Sequence, residues 1–316
     1  MVKSIVNTIK KGDSEGLVHE NNILTGYSGN KIIGTLQRLG DIYSDNENIC
    51  YLEIGVYQGL TLLSTANSNP NLPCYGIDNF AFFDPDSQNF GIVKERIKRL
   101  DLDNVHIINN DYEKAFAALE TEISDDKIGI YFIDGPHDYR SQLMCLQLSL
   151  PYLHEHSVIV IDDCNYEHVR QANADFLKTH PGFKLLFEAY TSSHPKNMDE
   201  AERESAKKGW WNGINIIVKD PSNILTDMYP PTSGDRTLFL NEHIIHASKY
   251  ADLAPTLSQI LSSLSSLKLR GCLLKIGAVV KSLFQNRDFY SSRHNAMNTS
   301  TEEITKYRFN QVPKKA

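Results

Sequence analysis

The chain has 316 residues, of which 41% are hydrophobic and 22% charged, and its formal net charge is −7. The negative charge argues against general attraction to nucleic acid backbones, so no nucleic-acid partner is expected. No run approaches the roughly 20 apolar residues that span a bilayer, and the apolar stretch at the N-terminus is too short for a signal peptide. The five cysteines show no CxxC spacing, which indicates reduced thiols and a cytoplasmic location.

After an N-terminal segment (residues 1–29), strand and helix patterns alternate up to about residue 190. The predicted strands are residues 49–54, 74–78, 105–108, 128–134, 158–162 and 183–190. The predicted helices are residues 30–43, a segment ending near 67, 88–100, 112–120, 139–153 and 167–179. Repeated strand–helix units predict an α/β fold with a doubly wound parallel sheet.

The rhythm changes after residue 190. Residues 191–209 are polar and charged and read as a lid insertion, and residues 210–218 are again a strand, which could pair antiparallel with strand 183–190. The main domain is therefore predicted to cover residues 30–219.

The C-terminal part carries its own charge and pattern. Residues 220–285 form a connector and a helical extension with an apolar stripe at helical spacing over 253–284, and residues 286–316 read as a polar, flexible tail. Residues 265–316 hold ten Lys and Arg against three Asp and Glu, a net of +7, which leaves −14 for the rest. A basic amphipathic helix can lie on an anionic membrane surface, dock on the domain or contact a second subunit. Docking or a homo-oligomer contact is the favoured alternative.

The first predicted strand runs into Glu53-x-Gly55-x-x-x-Gly59. This is not the GxGxxG of dinucleotide sites, and an acid before the first glycine suits a ligand with a cationic amino group. Asp78 ends the second strand, where an acidic residue can accept hydrogen bonds from ribose hydroxyls. Asp111 and Tyr112 follow the third strand, in position to touch an adenine.

Three aspartates end the next two strands. Asp134 ends strand 128–134, and Asp162 and Asp163 end strand 158–162. Carboxylates delivered to one crevice repel each other unless a cation or a protonated partner offsets them. With His137 three residues after Asp134, the pattern predicts a metal site beside a catalytic histidine. Helix capping by these aspartates is the alternative interpretation.

Glu53, Gly55, Gly59, Asp78 and Asp111 stand where successive motifs do in class I S-adenosylmethionine-dependent methyltransferases. The resemblance covers roughly residues 30–219. It implies a seven-stranded Rossmann-like sheet of order 3-2-1-4-5-7-6 with strand 7 antiparallel. The implied S-adenosylmethionine-binding residues are Glu53, Gly55, Gly59, Asp78, Asp111, Tyr112 and Asp134.

The segment from Asp134 to His137, together with Asp162 and Asp163, resembles the metal-dependent O-methyltransferase branch that includes sugar methyltransferases of antibiotic biosynthesis. Pro136 departs from that branch's usual neighbours. The resemblance implies Mg²⁺, or another divalent cation, held by Asp134, Asp162 and Asp163. It implies His137 as the general base.

These observations predict a metal-dependent O-methyltransferase acting on a sugar or another small hydroxylated acceptor. A catechol-type methyltransferase, a nucleotide-binding oxidoreductase and a non-catalytic scaffold are the alternatives. Further candidates for contacts with the acceptor flank the site or lie in and after the insertion: Tyr139, Asn165, Tyr166, His168, His194, Lys196, Trp210 and Trp211. Core packing is the alternative for the two tryptophans.

Overall fold

The computed structural model describes residues 1–44, 46–81, 83–84, 86–234, 254–265, 273, 275–277, 279–280 and 307–311. Within these residues, one eight-stranded sheet is packed between helices. The strands are β1 (Ile49–Ile54), β2 (Cys74–Asp78), β3 (Val105–Asn109), β4 (Lys127–Ile133), β5 (Leu153–Ile161), β6 (Phe183–Ala189), β7 (Ile214–Lys219) and β8 (Tyr307–Phe309). The α-helices are α1 (Val2–Glu15), α2 (Asn30–Tyr43), α3 (Leu60–Ser68), α4 (Asn89–Leu100), α5 (Tyr112–Ala117), α6 (Leu119–Ile123), α7 (Tyr139–Ser149), α8 (Glu167–Thr179), α9 (Glu200–Lys208) and α10 (Ala254–Ser265). Two short 3₁₀ turns cover Leu150–Tyr152 and Pro195–Asn197.

The strands lie in the order β3-β2-β1-β4-β5-β7-β6-β8. β1 to β5 are parallel, whereas β7 is antiparallel to both β5 and β6. The predicted order 3-2-1-4-5-7-6 and the predicted antiparallel hairpin are therefore confirmed. The strand order reverses between β1 and β4, and ligands of open α/β sheets bind at the carboxyl ends of the strands at such a point.

The sheet separates two hydrophobic layers because successive side chains of a strand point to opposite faces. Tyr51 and Phe132 belong to the layer that α1 to α4 cover. Leu52 and Tyr131, their neighbours in sequence, belong to the layer under α5 to α8. Every residue of β1 is buried, which is why all of them except Glu53 are apolar and do not alternate with polar residues.

The N-terminal segment contains a helix, α1, for which the sequence analysis predicted no structure. Its apolar side chains recur at helical spacing, and Val2, Ile5, Val6 and Ile9 are buried. The helix packs on α2 and belongs to the core of the main domain.

The prediction of seven strands lacked β8, which lies inside the predicted flexible tail. β8 pairs antiparallel with β6, with Phe309 opposite Phe187. The two rings pack against each other in a tilted arrangement, with their centroids 4.6 Å apart. The remaining residues of that tail, 286–306 and 312–316, lie outside the described residues.

The predicted insertion at 191–209 contains a helix, α9, with a capping box in which Asp199 and Glu202 cap each other's backbone N–H groups. The strand predicted at 210–218 begins later, at Ile214. Trp210 and Trp211 instead form the turn that leads into β7, and Trp211 has a left-handed backbone with φ of 50°. A β-branched run starts only at Ile214, which explains the shift.

The C-terminal extension is described only in part. Along α10, Leu257, Leu261 and Leu264 are exposed, whereas Ile260 is buried. Among the described helices, none is long and apolar enough to cross a membrane. The predicted docking of the extension on the domain or on a second subunit, and its alternative of membrane contact, stay predictions. Cys272 lies outside the described residues. The four described cysteines are buried thiols without disulfides.

Candidate active site

The turn after β1 is tightly built around Gly55. Its φ is +87°, and a Cβ at this position would lie 1.9 Å from the carbonyl oxygen of Asp134. The Asp134 N–H donates to the carbonyl of Ile54 at 2.8 Å. The glycine therefore lets the ends of β1 and β4 approach each other closely.

Asp78 holds this turn in place. One of its oxygens accepts hydrogen bonds from the backbone N–H groups of Val56 and Tyr57, each at 2.8 Å, and the other accepts from the N–H of Phe80 at 2.7 Å. The side chain thus links the end of β2 to the glycine turn. Contact with a ribose, which the sequence predicted for Asp78, stays a prediction.

Glu53 is fully buried beneath the turn. It accepts a hydrogen bond from the Thr61 hydroxyl at 2.7 Å and another from the Tyr51 hydroxyl. Burial raises the pKa of Glu53 to about 8, and the hydrogen bonds from Tyr51 and Thr61 only partly oppose this rise. The predicted attraction of a cationic amino group stays a prediction, because the carboxyl group is engaged inside the core.

The third predicted position follows β3. Asp111 caps α5 by accepting a hydrogen bond from the N–H of Glu113 at 3.0 Å. Tyr112 is buried, and its hydroxyl donates to Glu113 at 3.1 Å. Asp111 therefore has a capping role, and the contact with an adenine that the sequence predicted stays a prediction.

Asp134, His137 and Asp163 form a compact group of partly exposed side chains. One ligand atom from each lies within 4.8 Å of the other two. His137 Nε2 is 2.6 Å from Asp163 Oδ2. These three residues therefore converge as the sequence predicted, at the carboxyl ends of β4 and β5 and beside the glycine turn.

Like charges dominate this group. Burial raises the pKa of Asp134 well above its ordinary range, and the charges of Asp162 and Asp163 raise it further. Burial by itself also raises the pKa of Asp163, but His137, His194 and Asn212 outweigh it and hold that pKa well below its ordinary value. Because the carboxylates of Asp134, Asp162 and Asp163 repel one another, a positive charge between Asp134 and Asp163 would stabilise their ionised forms.

Asp162 lies deeper than its neighbour. It is 2% exposed, and its Oδ1 accepts a hydrogen bond from the Asp163 N–H at 2.8 Å. Burial raises its pKa well above the ordinary value, and Asp163 adds to the effect. Asp162 does not belong to the group of three described above, so its predicted role as a metal ligand stays a prediction.

Residues 52–164 match the model of a family described as a methyltransferase domain. This segment runs from β1 to the aspartates after β5 and contains Gly55, Asp78, Asp134, His137 and Asp163. Residues 52–164 therefore have the sequence pattern of a methyltransferase domain. Together with the strand order, the match confirms the predicted class I methyltransferase fold.

Solved structures similar to this protein include several methyltransferases. An O-methyltransferase from Bacillus cereus in complex with SAH is 13% identical, with 69% of this chain and 91% of that chain covered and a TM-score of 0.44. TomG, an O-methyltransferase from Streptomyces achromogenes involved in tomaymycin synthesis, is 10% identical over 68% of this chain and 89% of that one, with a TM-score of 0.43. A putative caffeoyl-CoA O-methyltransferase from Staphylococcus aureus is 16% identical over 68% and 91%, with a TM-score of 0.40. No curated protein matches the sequence.

Three aromatic rings, those of His137, Tyr166 and His194, lie next to one another beside the candidate metal ligands. His137 stacks on Tyr166 with centroids 5.6 Å apart, and Tyr166 lies 6.0 Å from the ring of His194. His194 lies in the insertion, and its Nδ1 accepts a hydrogen bond from the N–H of Lys196 at 3.1 Å. The insertion therefore reaches the site through His194. His168 is buried in α8.

Two other candidates form hydrogen bonds with residues outside the site. The Tyr139 hydroxyl donates to Asp175 at 3.0 Å. Trp210 is buried, packs 4.9 Å from Phe187 and donates its indole N–H to Asp13 at 2.9 Å. Trp210 is therefore a core residue in this structure.

One residue at the site was not predicted. Asn212 is fully buried, and its side-chain nitrogen donates to Asp163 Oδ1 at 2.6 Å. Its partner is 49 positions away in the sequence, so no local sequence pattern predicts the contact. Only the antiparallel pairing of β7 with β5 brings the two residues together.

Proposed function

We propose that this protein is a divalent-cation-dependent O-methyltransferase that moves a methyl group from S-adenosylmethionine to a hydroxyl of a sugar or another small hydroxylated acceptor. The observation that carries the proposal is the convergence of Asp134, His137 and Asp163 within 4.8 Å. Because the group adjoins the glycine turn of a methyltransferase domain, it stands where the acceptor would meet the cofactor.

The chemistry of the donor set fits a divalent cation. Asp134 and Asp163 supply carboxylate oxygens, which Mg²⁺ and Mn²⁺ prefer, and Asp162 adds negative charge behind them. Asp134 and Asp163 would hold the ion, with Asp162 as the third predicted ligand. A bound dication would lower the pKa of an acceptor hydroxyl that it contacts.

The S-adenosylmethionine site is assigned to the carboxyl ends of β1, β2 and β3. Gly55 and Gly59, with φ of +87° and +81°, would let the cofactor approach the backbone. Asp78 and Asp111 would accept hydrogen bonds from the nucleoside. Tyr112 would pack beside it.

His137 would take the proton that methyl transfer from sulfur to oxygen releases. An imidazole suits this step because its unperturbed pKa lies near neutral pH. The Asp163 carboxylate 2.6 Å from Nε2 would orient the ring and stabilise its protonated form. With Nε2–H directed at Asp163, Nδ1 would be the basic nitrogen.

An acceptor screen with methyl-labelled S-adenosylmethionine, with and without Mg²⁺ or Mn²⁺, tests the proposal. Sugars and catechols form two arms, since a catechol-type acceptor would use the same cation chemistry. We expect labelled product with the cation and loss of product in EDTA, and we expect Asp163→Asn to abolish turnover while cofactor affinity persists. Full turnover in EDTA would overturn the proposed cation dependence.

A further inference from the structure

Asn212 touches one oxygen of a proposed metal ligand while the other oxygen faces the site. Its Nδ2 donates to Asp163 Oδ1 at 2.6 Å, and Asp163 Oδ2 is 2.6 Å from His137 Nε2. Asn212 is 0% exposed, so water does not compete for this hydrogen bond. Asn212 on one oxygen and His137 on the other therefore fix the rotation of the Asp163 carboxylate about its Cβ–Cγ bond.

The orientation of the Asn212 amide follows from its other contacts. Its Oδ1 accepts a hydrogen bond from Asn165 Nδ2 at 3.1 Å. The Asn165 amide is oriented in turn, because its own Oδ1 accepts from the N–H of Thr191 at 3.1 Å. If the Asn212 amide were flipped, its Nδ2 would face the Asn165 Nδ2 donor and its Oδ1 would face the Asp163 carboxylate. Only the observed orientation therefore gives every group a hydrogen-bond partner.

The backbone holds Asn212 at this position. Its carbonyl accepts from the N–H of Asn165 at 2.9 Å, and the carbonyl of Gly213 accepts from the N–H of Cys164 at 3.1 Å. Gly213 has φ of +87°, and a Cβ there would lie 2.6 Å from Asn165 Oδ1. The turn before β7 is thus closely seated against the loop that carries Asp163.

We propose that Asn212 is a positioning residue for the cation site: by binding Oδ1 of Asp163, it directs Oδ2 toward Asp134 and His137. The inference rests on the proposed cation dependence and goes beyond it, because it assigns the geometry of the site to a residue that would not touch the ion. Asp163 has a left-handed backbone with φ of 55°, and Asn212 and His137, which contact its two side-chain oxygens, both come from other segments of the chain. Hydrogen-bond partners that orient ligands of a metal commonly change its affinity by 10- to 100-fold.

The test is Mn²⁺ binding to the full-length protein, measured by titration calorimetry and by the electron paramagnetic resonance signal of unbound Mn²⁺. We expect Asn212→Leu, which removes the donor, to weaken Mn²⁺ binding by roughly 10- to 100-fold. Affinity for S-adenosylhomocysteine should stay within about twofold, since Asn212 is not among the residues assigned to the cofactor. Asn212→Ser, a smaller and polar replacement, carries the same expectation and replaces Asn212→Leu if thermal melting shows that the leucine variant does not fold.

Asn215→Leu is the matched control. Asn215 is also 0% exposed and belongs to β7, where it donates to Tyr190 at 3.0 Å and accepts from Asn173 at 3.0 Å. This variant should lose stability and keep its Mn²⁺ affinity. If Asn215→Leu also lost Mn²⁺ affinity by about tenfold, the weaker binding of the Asn212 variants would reflect general destabilisation, and the inference would be overturned.

The remaining outcomes separate the two proposals. Wild-type protein that binds Mn²⁺ while the Asn212 variants bind it equally well would overturn the role of Asn212 alone. Wild-type protein that binds no Mn²⁺ at millimolar concentration would overturn the cation dependence itself, and the role of Asn212 with it.

Discussion

His137 has two chemical roles open to it, because its ring lies among the ligand atoms and is also hydrogen-bonded to Asp163. His137→Gln tests the role as base. We expect kcat to fall by roughly 10²- to 10⁴-fold, the usual contribution of a positioned base, while Mn²⁺ affinity stays nearly unchanged. Rapid-mixing kinetics and Mn²⁺ titration give the two quantities. Loss of Mn²⁺ binding would instead make His137 a ligand of the ion.

Glu53 makes the stability of the domain depend on pH. Burial raises its pKa from 4.5 to about 8 in the folded protein. Between these values the folded state keeps a proton that the unfolded chain loses, so this contribution to stability is full below pH 4.5 and disappears as pH rises toward 8.

Glu53→Gln removes this titration and keeps the size of the side chain. Relative to wild type, its free energy of unfolding should rise with pH from 5 to 8, by at most ~1.4 kcal/mol per pH unit, because one proton is exchanged. Urea denaturation at three pH values measures the difference. Parallel pH profiles for the two proteins would show that Glu53 is ionised in the folded state.

At the scale of elements, the turn between β1 and α3 has no room for a side chain at Gly55. Gly55→Ala would force a Cβ to within 1.9 Å of the Asp134 carbonyl in a backbone region that alanine rarely adopts. We expect it to abolish binding of S-adenosylhomocysteine, measured by calorimetry, and to lower thermal stability.

Gly91→Ala is the matched control for Gly55→Ala. Gly91 lies within α4, and nothing lies within 4 Å of a Cβ at that position. This variant should bind S-adenosylhomocysteine as wild type does, and its free energy of unfolding should rise by about 0.5–1 kcal/mol. Equal cofactor affinity in both variants would contradict the assigned place of the glycine turn.

The sequence predicted best those elements whose signal is local. β1, β4 and β5 each contain a buried, mainly apolar run that is followed by glycine or aspartate, and this pattern located both the strands and the convergence of Asp134 with Asp163. The inward direction of Glu53 was not predictable, because it depends on Thr61 in the next helix. Asn212 and β8 escaped prediction because tertiary pairing alone gives them their roles.

At the scale of the molecule, the two ends of the described chain meet on one carboxylate. Asp13 of α1 accepts hydrogen bonds from Lys31 at 2.7 Å, from the indole of Trp210 at 2.9 Å and from the Tyr307 hydroxyl at 2.8 Å. Next to Tyr307, Arg308 forms an ion pair at 2.6 Å with Glu188, which is 1% exposed. Together these contacts fix the region where the insertion leaves and rejoins the sheet.

Arg308→Ala should therefore destabilise the whole domain. It removes the ion-pair partner of the buried Glu188 carboxylate, and we expect a loss of ~1–3 kcal/mol in the free energy of unfolding. Chemical denaturation measures it, with Tyr307→Phe as a milder comparison that removes only the hydrogen bond to Asp13. An Arg308→Ala protein as stable as wild type would mean that β8 contributes nothing through Glu188.

The pairing of β8 with β6 also sets an order of events during synthesis. Asp13 and Tyr307 are 294 positions apart, so a ribosome delivers nearly the whole domain before the final strand can add to it. During that interval β6 is an edge strand with unpaired backbone groups, and such edges recruit other chains. Fragments that stop before residue 307 should therefore aggregate, although they contain every residue of the candidate site.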